Sequence, residues 1–437
     1  MSEIFNLRLV DLRGQKLDSF SVNTLVPRAQ LDINQAVIQI QPILEKVKNS
    51  GLDALVEISK QFDQVDPTPI RVSADEIQQA EKALSPALKK AITESIDRVL
   101  KVSRANRPEN TLTQLSTGSS VRQRWLPVES VGLYVPGGKA VYPSSVVMNV
   151  VPAQVAGVPE IAIASPPQKN GRPHPAVLAT AAILGINNVY CMGGAAAVAA
   201  FAYGITEIGL HPVSLVTGPG NIYVAAAKRA LRGQIGIDAE AGTTEIMILA
   251  DQSANTRLIA FDLVSQAEHD EAAASVLVTD SIELADAVNH ELSAIVTKTQ
   301  HAERIAKALS GQQSAIVVVE DLETAVKFAN YYATEHLELH TSNNEALLNK
   351  ISNAGAVFLG ENSPVSLGDY LAGSSHVLPT GGQAKFGSGL GVHSFLRAQQ
   401  VIDYDQVGLA AVAESISTFA DAEGLPAHGE AVRARFN

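Results

Sequence analysis

Gln266 and His269 are two side chains whose types and spacing would allow them to bind a metal ion together. They lie in a run from about Thr256 to Glu271 whose apolar residues recur at helical spacing. Residues three apart on a helix face the same way, so an amide oxygen and an imidazole could hold one metal ion together. The same spacing is common in solvated pairs on helix surfaces. The pair alone leaves both interpretations open.

Glu335 and His336 are adjacent, at the predicted end of a helix that leads into an extended segment. A carboxylate beside an imidazole could provide two proton acceptors, one for each step of a two-step reaction. A solvated pair near the end of a helix is the alternative interpretation.

Further acids and imidazoles occur in loops rich in glycine or bracketed by proline, where functional side chains are frequent. These residues are Asp369, His376, Glu423 and His428. Each could equally be an ordinary loop residue, so none of them identifies a site by itself.

Three glycine-containing turns each follow a predicted strand and lead towards a helix. They are Tyr134–Gly138, Met192–Gly194 and Gly218–Asn221. Such turns at the carboxyl ends of parallel strands are where dinucleotides bind. None is a complete G-x-G-x-x-G, and no acidic residue stands at the usual spacing for a ribose. Tight structural turns remain the alternative.

The elements that would position these residues alternate between strand and helix from about residue 130 onwards. The first series of predicted strands is Val131–Val135, Glu160–Ala164, Asn188–Met192 and Ser214–Thr217, and the second is Glu245–Ala250, Ser275–Thr279, Ala315–Val319 and Ala356–Leu359. Strand–helix alternation predicts parallel, doubly wound sheets, here in two related blocks. Residues 33–106 are predicted to be helical, with one helix ending at Gly51. The tail after Ser394 is predicted to hold one or two helices and little core of its own.

Composition excludes several classes of function. The 437 residues are 46% hydrophobic and 18% charged, which is typical of a globular protein. The net charge of −12 opposes binding to nucleic acid or to an anionic membrane as the main activity. The amino terminus shows no secretory pattern, and the single cysteine, Cys191, excludes a disulfide framework. We therefore expect a cytoplasmic protein.

The motifs together resemble the histidinol dehydrogenase family, in its actinobacterial form, over almost the whole chain. The matching strings are LYVPGG, VTGPGN, LVSQAEHD, TEHLEL, SLGDYLAGSSHVLPT and LPAHGEAVRARF. The resemblance implies an NAD-dependent alcohol and aldehyde dehydrogenase that oxidises L-histidinol through L-histidinal to L-histidine, the last steps of histidine biosynthesis, with one Zn²⁺ per subunit. It also implies a homodimer whose C-terminal tails are exchanged.

The family's functional residues can be carried over to matching positions in this sequence. The implied metal ligands are Gln266, His269, Asp369 and His428, and the implied proton-transfer pair is Glu335 and His336. The implied substrate contacts are Thr244, Gln266, His269, His336, Asp369, His376, Glu423 and His428. The implied NAD contacts are Tyr134 and Asn221, with Ala196 at a third position.

Two departures from the family pattern affect these expectations. The family usually has a glutamine that touches NAD where this chain has Ala196, so one polar contact is missing. The family usually has Gly-Pro-Ser where this chain has Gly242-Thr243-Thr244. Thr244 keeps the hydroxyl, but the loop loses the rigidity of a proline.

The implied fold has two Rossmann-like αβα domains with incomplete dinucleotide motifs, plus small helical extensions at both ends. The expected boundaries are residues 1–24 for an N-terminal extension, 25–132 with 245–390 for the larger domain carrying the metal and catalytic residues, 133–244 for the NAD-binding domain, and 391–437 for the tail on the partner subunit.

Three rival functions stay open at this stage. The first is a relative that oxidises another small polar alcohol. The second is a metal-dependent hydrolase in which Glu335 activates water. The third is a degenerate nucleotide-binding protein, which only Ala196 suggests.

Overall fold

The computed structural model describes residues 6–29, 32–137, 141–240 and 242–436. Gly138, the last residue of the first predicted glycine turn, lies outside these ranges, as do residues 1–5. The first described elements are β1 (Leu9–Asp11), α1 (Ser19–Leu25), α2 (Ile33–Phe62), α3 (Ala74–Ala83) and α4 (Pro86–Ala105). Among the described residues, no helix is both long and apolar enough to cross a membrane.

The N-terminal helices begin where their capping residues predict. The Ser73 hydroxyl accepts from the Glu76 amide and the Glu76 carboxylate bonds back, which completes a capping box. Ser85 caps α4, which has proline at its first position. The predicted helix end at Gly51 is confirmed. Gly51 has a non-helical φ of 48°, which glycine tolerates, and a second helical segment of α2 continues after this kink to Phe62.

A hairpin, β2 (Thr111–Ser116) and β3 (Ser119–Pro127), leads into the first αβ block. Its elements are β4 (Ser130–Tyr134), α5 (Pro143–Ala156), β5 (Glu160–Ser165), α6 (Pro175–Ile183), β6 (Val189–Cys191), α7 (Gly194–Tyr203), β7 (Leu215–Thr217), α8 (Ile222–Leu231) and β8 (Gly236–Ile237). The five strands are parallel, in the order β6-β5-β4-β7-β8.

The second block forms a larger parallel sheet. Its elements are β9 (Glu245–Ala250), α9 (Thr256–Ala267), β10 (Ala274–Thr279), α10 (Ile282–Val296), α11 (Ala302–Ser310), β11 (Ala315–Val318), α12 (Leu322–Tyr332), β12 (His336–His340), α13 (Asn344–Leu348), β13 (Ala356–Leu359) and α14 (Val365–Tyr370). The order is β1-β11-β10-β9-β12-β13, so β1 from the N-terminal segment forms one edge. Every residue of β9 and β10 is buried, as expected for a sheet covered on both faces.

The two sheets share one topology. If β1 is left out, the strands of each block lie in the sheet in the order third, second, first, fourth, fifth. This is the Rossmann-like arrangement, in which the strand order reverses beside the first strand. The fold class predicted from the alternating pattern is confirmed, and the shared order supports two related domains.

The tail differs from its prediction. It begins with a strand, β14 (Leu396–Tyr404), and continues with three short helices, α15 (Gln406–Ala410), α16 (Ala413–Ala422) and α17 (Pro426–Arg433). β14 pairs antiparallel with β3, which in turn pairs with β2. Local pattern did not reveal this strand, because its partner lies about 280 residues earlier in the chain and most of its side chains are exposed.

Candidate functional site

The candidate site lies at the amino edge of the six-stranded sheet, where β9 and β12 start side by side. Thr244 immediately precedes β9, and Glu335 immediately precedes β12. Helix α9 runs antiparallel to β9, so Gln266 in the last turn of this helix also lies at the amino edge of the sheet. The predicted end of α12 before Glu335 and the extended segment after it are both confirmed.

A short hydrogen-bond chain joins three of the predicted residues. The Gln266 Nε2 donates to Thr244 Oγ1 at 2.6 Å, and that hydroxyl donates to Glu335 Oε2 at 2.6 Å. The backbone N–H of Glu245 donates to the same carboxylate oxygen at 2.9 Å. Thr244 therefore retains the positioning that a serine hydroxyl would provide at this place.

Burial sets the protonation of Glu335. The carboxyl is only 5% exposed, and loss of solvent raises its pKa to about 8, despite the hydrogen bonds from Thr244 and Glu245. The negative charges of Glu245 and Asp369 act in the same direction as burial. A carboxyl with so high a pKa can exchange protons near neutral pH, which few carboxyls can do.

His336 is held as a neutral base. Its Nδ1 lies 3.0 Å from the Glu245 carbonyl oxygen. A carbonyl can only accept, so Nδ1 carries the hydrogen and Nε2 is left as the basic atom. Burial lowers the pKa of His336, which keeps the ring uncharged in neutral solution.

His269 and Asp369 meet at the same site. The His269 Nε2 lies 3.7 Å from Asp369 Oδ2, and the contact raises the pKa of His269 while His269 lowers that of Asp369 against the effect of burial. The predicted helix through Glu271 is wrong in its length. α9 ends at Ala267, so His269 lies in the following turn and not on the helix face.

The donor set suits a metal ion. Gln266 Oε1 is buried and has no hydrogen-bond partner among the described residues, because the amide nitrogen is committed to Thr244. An unpartnered buried carbonyl oxygen is costly unless a ligand engages it. Together with one imidazole and one carboxylate it offers three ligands of the type that Zn²⁺ accepts.

His376 connects the site to helix α5 of the first αβ block. Its Nδ1 donates to the Asp369 carbonyl at 2.9 Å, and its Nε2 lies 3.1 Å from the Ser145 hydroxyl on α5. Asn149, one turn further along α5, donates to the Ser145 carbonyl and accepts from Thr217 at the end of β7. The amino edge of the larger sheet therefore faces the carboxyl edge of the smaller one.

The described glycine turns gather at that carboxyl edge. The Tyr134 hydroxyl accepts from the Gly194 amide at 3.2 Å, so the first two turns touch. Asn221 caps α8 through its side-chain oxygen, and the residue is exposed. Ala196 is buried in the first turn of α7 among apolar side chains. Its methyl group offers no hydrogen bond.

Glu423 and His428 are the two predicted residues that this single chain does not bring to the site. Both are exposed. Glu423 follows α16 and His428 lies on α17, and these two helices pack mainly against each other.

One cluster of two buried residues and one half-buried residue was missed by sequence reasoning. Within the described residues, Asp262, Glu338 and His340 have side-chain ligand atoms within 4.8 Å of one another. The Glu338 oxygens are already engaged, by the Val365 N–H at 2.9 Å and by His340 Nε2 at 3.2 Å. Burial and the Glu338 charge raise the pKa of Asp262 to about 7. The sequence pattern that could have revealed this cluster is the alternation of polar residues at 336, 338 and 340, which places them on one face of β12.

Comparisons with known proteins agree in pointing to one family. The sequence profile of the family described as histidinol dehydrogenase matches residues 26–436. The histidinol dehydrogenase of Leifsonia xyli subsp. xyli is 54% identical over 98% of this chain and 99% of its own length. That of Thermobifida fusca is 54% identical over 98% and 97%. The crystal structure of histidinol dehydrogenase from Elizabethkingia anophelis superposes with a TM-score of 0.92 at 32% identity, covering 99% of this chain and 98% of that one.

Proposed function

Because this chain belongs to the histidinol dehydrogenase family, we propose that it oxidises L-histidinol through L-histidinal to L-histidine with two molecules of NAD. Each oxidation removes one hydride and one proton, and a water molecule enters between them to form the aldehyde hydrate. The observation that carries the proposal is the buried pair Glu335 and His336 beside Gln266, His269 and Asp369. The site thus offers proton acceptors next to a set of metal donors.

His336 serves as the base in both oxidations. Its Nδ1–H is fixed on the Glu245 carbonyl, and its lowered pKa leaves Nε2 free to take the alcohol proton as hydride departs. After the first proton is released to solvent, the same nitrogen takes the proton of the hydrate in the second oxidation. A base fixed by its backbone bond loses little orientation freedom in each step.

Glu335 activates the water that converts the aldehyde into its hydrate. Both of its hydrogen bonds fall on Oε2, and among the described residues Oε1 has none. Oε1 is therefore the atom available to accept a proton from water. The raised pKa makes the carboxylate a stronger base than an exposed glutamate.

Gln266 through Oε1, His269 and Asp369 would hold Zn²⁺, with His428 of the partner subunit as the fourth ligand. When bound, the metal would act as a Lewis acid that fixes the amine and imidazole of the substrate. Mn²⁺ or Co²⁺ are alternatives on ligand chemistry alone. The proposed substrate contacts besides these residues are Thr244, His336, His376 and the partner's Glu423.

NAD would bind in the crevice at the carboxyl edge of the smaller sheet. Tyr134 contacts the second glycine turn and Asn221 begins the helix after the third turn, so both would contact the dinucleotide, with its nicotinamide towards Glu335 and His336. Ala196 gives no polar contact there, so the affinity for NAD should depend more on the other turns.

A homodimer with exchanged tails would complete the site. The arm formed by β2, β3, β14 and the tail helices exposes a series of large apolar side chains, namely Leu112, Leu115, Ile402, Val407, Phe419 and Leu425. Exposed apolar groups of this size are typical of a surface that another chain covers. The exchange would bring Glu423 and His428 to the neighbouring site.

The test is a measurement of stoichiometry. Purified protein with L-histidinol and NAD should form about two NADH per histidine, because the oxidation removes two hydrides. NADH formed without histidine would mean that the reaction stops at the aldehyde. Turnover without NAD would favour the hydrolase interpretation and contradict the proposal.

A further inference from the structure

The main chain of Glu245 holds both members of the proton-transfer pair. Its N–H donates to Glu335 Oε2 at 2.9 Å, and its carbonyl accepts from His336 Nδ1 at 3.0 Å. A shift of this single peptide would therefore move the carboxylate and the imidazole together. What fixes Glu245 thus also fixes the geometry of the two groups.

The Glu245 side chain points into the protein and is held by Arg28. The carboxyl is 1% exposed, and Arg28 Nε lies 2.5 Å from Oε1 while Nη2 lies 3.4 Å from Oε2. The Gly381 N–H adds a bond to Oε1 at 3.2 Å. A carboxylate so deeply buried is costly to keep charged unless a cation pairs with it. Arg28 is the cation that serves here.

Arg28 also binds the backbone of the segment that precedes Glu335. Its Nη2 donates to the Tyr332 carbonyl and lies 3.5 Å from that of Ala333. The guanidinium stacks on the Tyr332 ring at 3.9 Å. Ala333 has a φ of 55°, an unfavourable value for a residue with a Cβ, so this turn needs external support.

We propose that Arg28 is a positioning residue for the reaction, which ties the start of β9 to the turn before β12 and so sets the placement of Glu335 and His336. The inference rests on the proposed function of that pair. It adds a residue from the N-terminal segment whose hydrogen bonds go to none of the proposed substrate or NAD contacts. A planar guanidinium can bond a carboxylate and two carbonyls at once, which an ammonium cannot match.

The first test compares Arg28→Ala and Arg28→Lys with wild type in the separate oxidations of histidinol and histidinal. We expect kcat to fall on the order of 10²-fold in Arg28→Ala, the cost of a misplacement of about 1 Å, with the KM for histidinol nearly unchanged. Arg28→Lys should recover only a minor part. Millimolar guanidinium chloride, far below denaturing concentrations, should restore Arg28→Ala in a saturable manner and leave Arg28→Lys unaffected.

Arg172→Ala is the matched control. Arg172 likewise pairs with a glutamate, at 2.7 Å from Glu76, and donates to the carbonyls of Pro67 and Pro69, none of which belongs to the proposed site. This variant should lose stability in urea unfolding but keep kcat, and guanidinium should not affect its rate. A merely structural role for Arg28 would make the two arginine variants behave alike.

A second readout does not depend on turnover. With ¹⁵N-labelled histidine, the Nδ1–H of His336 should give a solvent-protected imidazole signal, assigned by its loss in His336→Asn. The signal should lose protection in Arg28→Ala and keep it in Arg172→Ala. A folded Arg28→Ala protein with wild-type kcat, or with an unchanged imidazole signal, would overturn the inference. Absence of histidinol oxidation by wild type would instead refute the proposed function, and the imidazole signal would still test the positioning.

Discussion

At the scale of single residues, Glu335 is a carboxyl whose environment differs strongly from that of a free side chain. Its pKa of about 8 means that the carboxylate form increases as pH rises through that value. If the carboxylate activates water, histidinal oxidation should increase with pH up to about 8 and then level off. Measuring kcat/KM for histidinal between pH 6 and pH 10 tests this.

The same residue distinguishes the two half-reactions. Glu335→Gln should slow histidinal oxidation on the order of 10²–10⁴-fold, the usual contribution of a general base, and should remove the rise with pH. Histidinol oxidation to the aldehyde should be affected far less, because His336 is its base. His336→Asn is the comparison and should damage both steps. Equal losses in both steps for Glu335→Gln would contradict this division of roles.

The metal donors allow a further prediction at this scale. Chelation should abolish turnover and added Zn²⁺ should restore it, and His269→Asn should lose zinc and activity together because one of few protein ligands is removed. Elemental analysis per chain is the measurement. Asp262→Asn tests the neighbouring cluster and should leave zinc content unchanged, since each oxygen of the adjacent Glu338 carboxylate already has a protein partner, Val365 or His340. Full activity in a zinc-free preparation would refute the metal assignment.

At the scale of elements, the turn after β7 is held by a buried ion pair. Lys228 Nζ donates to the Gly218 carbonyl at 2.7 Å and to Asp238 Oδ1 at 2.5 Å, while the Gly218 N–H donates to Asp238 Oδ2 at 2.8 Å. Gly218 has a φ of 112°, and a Cβ there would lie 2.1 Å from the Tyr134 carbonyl oxygen. The glycine is therefore required by both conformation and space.

Lys228→Met should consequently destabilise the fold by about 3–5 kcal/mol, the usual cost of leaving one buried charge without its partner. It should also raise the KM for NAD more than that for histidinol, because the turn borders the proposed NAD crevice. Urea unfolding and steady-state kinetics measure the two effects. The double variant Lys228→Met, Asp238→Leu should recover part of the stability, because no buried charge is left unpaired, but not the NAD affinity, because the Gly218 N–H has lost its partner. Equal changes in both KM values would argue against a role in NAD binding.

Comparison of the observed strands and helices with the predicted ones shows which elements the sequence pattern can reveal. The strands predicted from β-branched runs are present, and Glu245–Ala250 and Ala356–Leu359 have the predicted bounds. Such runs are visible because a strand buried on both faces must be continuously apolar. The end of α9 at Ala267 was not predicted, because His269 and its neighbours are equally compatible with another helical turn.

Long-range partners explain the larger omissions. Nothing near Arg28 in the sequence indicates Glu245, which lies 217 residues away, and nothing near β14 indicates β3. The donor types at Gln266, His269 and Asp369 were predicted from the family resemblance. The bond from Gln266 to Thr244, which fixes the amide and leaves Oε1 unpartnered, required the fold.

At the scale of the whole molecule, the site is built between two sheets that present opposite edges to each other. The larger sheet carries the proposed acid–base pair, Glu335 and His336, at its amino edge, and the smaller sheet carries its glycine turns at its carboxyl edge. The bond between His376 and Ser145 crosses the boundary. In the single chain, however, Glu423 and His428 stay exposed on the tail, so the proposed site remains incomplete without a second copy.

The shared site can be tested by mixing two inactive variants, the body variant His336→Asn and the tail variant His428→Ala, under conditions that allow subunits to exchange. If tails cross between subunits, each mixed dimer has one site with both lesions and one site that is wholly intact. Random exchange makes about half of the dimers mixed, so activity should recover to about a quarter of wild type. If His428 serves its own chain, both sites of every mixed dimer carry one lesion and activity does not return. Native mass spectrometry of the mixture verifies the exchange, so that a lack of recovery in verified mixed dimers refutes the exchanged tail.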